Sequence, residues 1–165
     1  MLNHGQGKTW EPHKMATFAK VNDFVENLCQ VIDLDGDVWK MDLTSTAPTA
    51  GTDATADGNG ILANITPITY TNYSDDLAVD RILTAGSLTH AQTAGTFTWD
   101  YGADIVITAS GGALASFQYI ALWDDTVVSP VDPLFGYWDH GSAIVLASAE
   151  TATLAFNASG IFTLA

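Results

Sequence analysis

Residues 33–37 read DLDGD, three carboxylates around one glycine. Acids at alternate positions suggest a calcium loop, which takes oxygen ligands at positions 1, 3 and 5, a glycine at 6 and a glutamate at 12. Counted from Asp33, the acids Asp33, Asp35 and Asp37 meet the first requirement, but the glycine falls at position 4 and position 12 is Thr44. Val38, Trp39 and Met41 also impose strand character where the loop would have to continue. The segment therefore reads as a helix-to-strand turn in which Gly36 supplies a positive φ. Weak calcium binding at Asp33, Asp35 and Asp37 is the minor alternative.

Other chemistry-bearing residues are scattered. The histidines are His4, His13, His90 and His140, without the spacing of a metal centre. Asp139-His140 beside Ser142 resembles a catalytic triad only in composition, because adjacent strand residues point to opposite faces and no Gly-x-Ser-x-Gly elbow is present. Cys29 is the single cysteine, which excludes an intramolecular disulfide framework. It falls on an apolar helical face and is expected to be a buried small hydrophobe. No nucleophile–base pair or carboxylate dyad emerges, so the chain is expected to be no enzyme and to need no cofactor.

The aromatic residues Trp99, Tyr101, Phe117, Tyr119, Trp123, Phe135, Tyr137 and Trp138 crowd the second half. An exposed row of them could stack on sugars. Their alternation, with Phe117, Tyr119 and Ala121 set against Gln118, Ile120 and Leu122, favours core and subunit contact. Trp123, Phe135, Tyr137 and Trp138, together with Trp10 and Pro12 near the N-terminus, are the candidate interaction residues.

The elements that must hold these residues follow from periodicity. In TFAKVNDFVENLCQVI, residues Phe18, Val21, Phe24, Val25, Leu28, Cys29 and Ile32 recur at spacings of three and four, predicting one helix over about 17–32 with Thr17 as its N-cap. From residue 38 the grammar is that of strands. VWKMDLT sets Trp39, Met41 and Leu43 on one face and Val38, Lys40 and Asp42 on the other, and Pro48 stops it. Further strand candidates follow to the C-terminus, separated by turns such as Ser110-Gly111-Gly112, Asp124-Asp125 and Ser159-Gly160. Short strands at this spacing predict a mainly β fold: an antiparallel β-sandwich, Ig-like or jelly-roll-like, with one N-terminal α-helix. Residues 1–14 read as an extended polar arm and 15–165 as a single domain.

Charge narrows the partners. The chain has 19 acidic residues against 5 basic, and Lys8 and Lys14 lie in the arm. Phosphate binding needs clustered Lys and Arg, so no nucleic acid partner is expected. No apolar run reaches membrane-spanning length and the first residues lack a signal-peptide pattern, so no membrane partner is expected.

Three stretches carry a family resemblance: residues 15–25 (MATFAKVNDFV), 38–48 (VWKMDLTSTAP) and 132–156, beginning DPLFGYWDHGSAIVLASAETATLAF. They resemble small virion proteins of tailed bacteriophages, which open on a MATF…FNDFV-like helix, pass through a LKVALTNTAP-like strand and close on a DPLIGWWDYGSSITLADGETFTVDF-like hairpin. The closing stretch is the most specific. Relatives start where Met15 stands, so either residues 1–14 are an additional arm or the reading frame opens earlier here than in the relatives. The resemblance implies a structural role as a capsid decoration or cement protein on the outer surface of the virion. Its partners would be the major capsid protein and other copies of itself, as a homotrimer. A tail or fibre component, or a virion-displayed carbohydrate-binding module, is the alternative.

Overall fold

The computed structural model describes residues 17–48, 60–73, 81–82, 88–157 and 159–165. The candidate interaction residues Trp10 and Pro12, with the rest of the arm, lie outside the described residues. The protein is mainly β. Its named strands are β1 (Thr17–Lys20), β2 (Trp39–Thr44), β3 (Arg81–Ile82), β4 (Leu88–Thr93), β5 (Thr96–Tyr101), β6 (Ile105–Thr108), β7 (Phe117–Asp124), β8 (Leu134–Ile144), β9 (Thr151–Leu154) and β10 (Phe162–Leu164). One α-helix, α1 (Phe24–Gln30), and a 3₁₀ turn at Leu62–Asn64 complete the described elements.

The strands form a five-stranded sheet in the order β1-β8-β7-β2-β3, a three-stranded sheet β10-β5-β4 and a two-stranded sheet β6-β9. Every named pairing is antiparallel. One buried cluster joins Trp39, Met41 and Leu43 of the large sheet to Trp99 and Tyr101 of the second sheet and Ile105 and Ile107 of the third. The two smaller sheets thus cover one face of the large one, which makes a sandwich. The alternation read in β2 holds: Trp39, Met41 and Leu43 enter this core, while Lys40, Asp42 and Thr44 share the opposite face.

The helix is shorter than its periodicity predicts. Thr17–Lys20 is a strand whose partner is β8, with Phe18 opposite Trp138 and Ala19 opposite Tyr137. A short apolar run satisfies helical and strand spacing equally well, and here the sheet supplies backbone partners that a lone helical turn would lack. The N-cap is Asp23 rather than Thr17, and its side chain makes no capping bond. Asp23 Oδ2 instead accepts the Gly60 amide at 2.9 Å. Starting at Phe24 also rotates the helix, turning Phe24 and Asn27 inward and leaving Val25 exposed. Cys29 is exposed as well, which corrects the expected burial.

Phe135 occupies the centre of the core. Its ring lies 3.8 Å from that of Phe24, 5.2 Å from Trp99, 5.5 Å from Phe162 and 5.6 Å from both Trp39 and Phe18. Five elements and β8 itself thus converge on one side chain. Beside it Gly136 allows β1 to approach, since a Cβ there would strike the Phe18 ring and the Ala19 carbonyl.

Candidate functional site

The DLDGD segment is a turn built from its own carboxylates. The Asp33 amide donates to Asp37 Oδ2 at 2.6 Å, the Asp35 amide to Asp33 Oδ1 at 3.1 Å, and the Asp37 amide to the Asp33 carbonyl at 3.0 Å. Among the described residues no group of three or more His, Cys, Asp and Glu side chains could hold a metal ion. Two of the carboxylates that a calcium loop would use, those of Asp33 and Asp37, serve as acceptors for backbone amides. Gly36 does not take a positive φ, and a Cβ on it would lie 2.7 Å from Asp33 Oδ2, so a side chain there would displace the exposed Asp33 carboxylate.

This turn is fastened to the β7–β8 loop. The Val38 amide donates to Thr126 Oγ1 at 2.8 Å, and the Asp125 amide donates to the Val38 carbonyl at 2.8 Å. Lys40 Nζ meets Asp125 Oδ2 at 3.0 Å and sits over the Trp123 ring. Asp124, at the end of β7, is 0 % exposed. Its Oδ1 accepts the amides of Thr126 at 2.7 Å and Val127 at 3.2 Å, while its Oδ2 has no hydrogen-bond partner among the described residues. Burial pushes the Asp124 carboxyl up to about 7; the two amides act against this, and the neighbouring Asp37 adds to it. Beyond Asp124 the loop displays Val128, 79 % exposed, and Val131, 57 % exposed, paired by an isolated bridge. Val38 is also exposed and lies beside the base of the loop through its bonds to Thr126 and Asp125.

A second buried carboxylate lies on the neighbouring strand. Asp42 accepts the Tyr70 hydroxyl at 2.7 Å on Oδ1 and the Trp123 indole N–H at 3.0 Å on Oδ2. The Tyr70 oxygen in turn accepts the Leu43 amide at 2.8 Å. Burial, followed by the charge of Asp42, pushes the Tyr70 phenol far above its ordinary value. This network fixes the 60–73 segment against the large sheet. The pattern reading placed Asp42 opposite the core face and took it no further, and nothing local in the sequence names Tyr70 or Trp123 as its donors.

Of the aromatic candidates, Phe135, Trp123 and Trp138 are buried within the chain, which is the core part of the core-and-contact reading. Trp123 packs with Val21, Ile65, Ala121 and Leu134 in a second small cluster. The physical reason is irregular register. Shifts between Phe117 and Tyr119 and between Leu122 and Trp123 break the two-residue alternation, so Phe135 and Trp138 both reach the main core. Tyr137 alone of the four is half-buried, its ring 6.1 Å from that of Tyr119.

The triad-like residues do not assemble as a triad requires. Asp139 Oδ1 accepts from the Gly141 amide and the Gln118 side chain. His140 Nδ1 contacts the Ser142 carbonyl at 2.9 Å and its hydroxyl at 3.3 Å on an exposed strand end. An open groove of ≈ 380 Å³ runs between α1 and the β4–β5 hairpin, lined by Leu28, Ile32, Leu34 and Phe97 with Asp33, Asp35 and His90 at its polar side. His90 Nδ1 lies 3.2 Å from Asp35 Oδ1.

The arrangement thus defines an antiparallel β-sandwich protein whose aromatic residues are largely internal and whose most exposed valines stand on one carboxylate-anchored loop. No family model, no curated protein and no solved structure matches the chain.

Proposed function

We propose that this chain is a structural virion protein of a tailed bacteriophage, a decoration or cement protein that binds the outside of the assembled head. The observation that carries this reading is where the resembling stretches fall. Residues 15–25 hold β1, residues 38–48 hold β2, and residues 132–156 hold β8 and β9. β1 pairs with β8, and β7 joins β8 to β2, so stretches far apart in sequence meet in one sheet. A resemblance spread over a packed unit supports kinship of fold better than one confined to a loop.

The action follows from linkage. A subunit that binds only the assembled shell adds its binding free energy to that state alone and shifts the equilibrium toward it by mass action. Its partners are the major capsid protein and other copies of itself, arranged as a trimer. Val128 and Val131, with Val38 beside the base of their loop, supply apolar contact. The acidic surface keeps particles apart and repels free DNA. Quantitative gel analysis of purified virions tests the reading: hundreds of copies per particle are expected, and about six or fewer would point to a tail or fibre position instead. Val128→Asp with Val131→Asp should reduce occupancy of the head, whereas Val106→Asp, an exposed valine on β6, should not.

A further inference from the structure

A strand at the edge of a sheet leaves a row of main-chain N–H and C=O groups unpaired, and natural proteins guard such edges with charged side chains, proline, bulges or very short strands. β4 stands at the edge of the three-stranded sheet β10-β5-β4 and has none of these guards. With 6 residues it is the longest of the edge strands, since β3 has 2, β10 has 3, and β1, β6 and β9 have 4 each. Its sequence, LTHAQT, contains no Lys, Arg, Asp, Glu or Pro. Its register with β5 runs unbroken from Leu88 opposite Tyr101 to Thr93 opposite Thr96, so no bulge turns the edge away. Thr89 to Thr93 are all exposed. Among the described residues no backbone hydrogen bond reaches β4 except from β5.

We propose that β4 pairs antiparallel with β4 of a second copy about a two-fold axis, joining the small sheets of the two copies into one continuous sheet. Two observations select a second copy as the occupant. An antiparallel edge is complementary to itself: about a two-fold axis each outward N–H meets an outward C=O of the same strand in the mate. The other observation is charge. With 19 acidic residues against 5 basic, two copies repel each other, and an approach that brings carboxylates together is disfavoured. β4 brings none to the seam. The one acid of its sheet is Asp100, on β5 opposite Thr89, and its Oδ1 accepts the Tyr101 amide. His90 is turned towards Phe97 and Asp35. Thr89, Ala91 and Thr93 share the other face of β4, and small or β-branched side chains of this kind pack well across paired strands. A seam one short strand long is small, so the pairing is weak and depends on concentration. This contact is separate from the trimer of the virion reading and does not rest on it.

The test is sedimentation of the full chain from low micromolar to near-millimolar concentration, with hydrogen exchange of the β4 amides over the same range. The particle mass should double with concentration. Alternate β4 amides, open at low concentration, should gain protection in step with it, while those bonded to β5 stay protected throughout and report that the sheet is folded. Ala91→Glu and Ala91→Lys each set like charges against their two-fold mates, so both should weaken the pair by about fivefold or more although their signs are opposite. Thr163→Lys, on the other edge of the same sheet, should leave it unchanged. The proposal is overturned if the mass stays constant, if it doubles with no change at the β4 amides, or if both charged variants associate like the wild type. Outward β4 amides already protected in the smallest species would also overturn it, in favour of a segment of the same chain on this edge.

Discussion

Asp42 and Asp124 are both 0 % exposed, and they lie on paired strands of one sheet. Their surroundings differ in a single respect. Asp42 has a donor on each oxygen, a phenol and an indole. Asp124 has donors on one oxygen, while its other oxygen has no hydrogen-bond partner among the described residues. A buried polar group stabilises or destabilises according to whether its lone pairs are matched, so two identical side chains at similar depth play opposite parts. Asp42 is a fixed joint between the sheet and the 60–73 segment, and Asp124 is held through one oxygen only.

The largest effect that would break this contrast comes from Asp42→Ala. It leaves the Tyr70 hydroxyl and the Trp123 N–H without their acceptor and should lower stability by about 2–5 kcal/mol in urea denaturation. Tyr70→Phe removes one arm of the network and exposes the Leu43 amide to the same deficit, so a loss of about 1–3 kcal/mol is expected. If either variant melts like the wild type, Asp42 is no joint. The Asp124 side gives a smaller and pH-dependent effect. Because folding raises the affinity of Asp124 for its proton, its stabilising contribution is complete below the ordinary aspartate range and is lost as pH rises through about 7. Asp124→Asn should therefore match the wild type below about pH 4 and exceed it near pH 8, by no more than about 1–2 kcal/mol because the loop can relax towards solvent. A difference between the two proteins that stays constant with pH would erase the distinction from Asp42. The smallest effect belongs to His90→Gln, which removes an exposed ion pair and should shift stability by less than about 0.5 kcal/mol.

How far the fold could be read in advance differs between its halves. The β2 pattern was legible because both faces of that strand are set by simple alternation, and the turn at DLDGD was legible from its glycine and acids. The helix was overextended because Phe18 and Val21 fit helical spacing, and only the distant β8 edge makes Thr17–Lys20 a strand. Alternation alone does not separate core from contact surface for Trp123, Phe135 and Trp138, because the register shifts between β7 and β8 depend on strand partners rather than on local residues. The bond from the Val38 amide to Thr126 joins two turns far apart in the chain, and no spacing rule brings them together. DLDGD itself pointed to calcium for the right residue types and the wrong geometry.

The pairing of Thr17 with Asp139 has a further consequence during synthesis. A ribosome working at about 5–20 residues per second exposes β1 and α1 many seconds before β8 exists to receive them. Phe18 and Phe24, which end beside Phe135, have no native aromatic partner in that interval. The large sheet cannot close from its first strand inward. The β7–β8 hairpin is the most local pairing of this sheet, and β1 and β2 join it from chain already made, so the N-terminal aromatics stay uncovered until β8 has been synthesised.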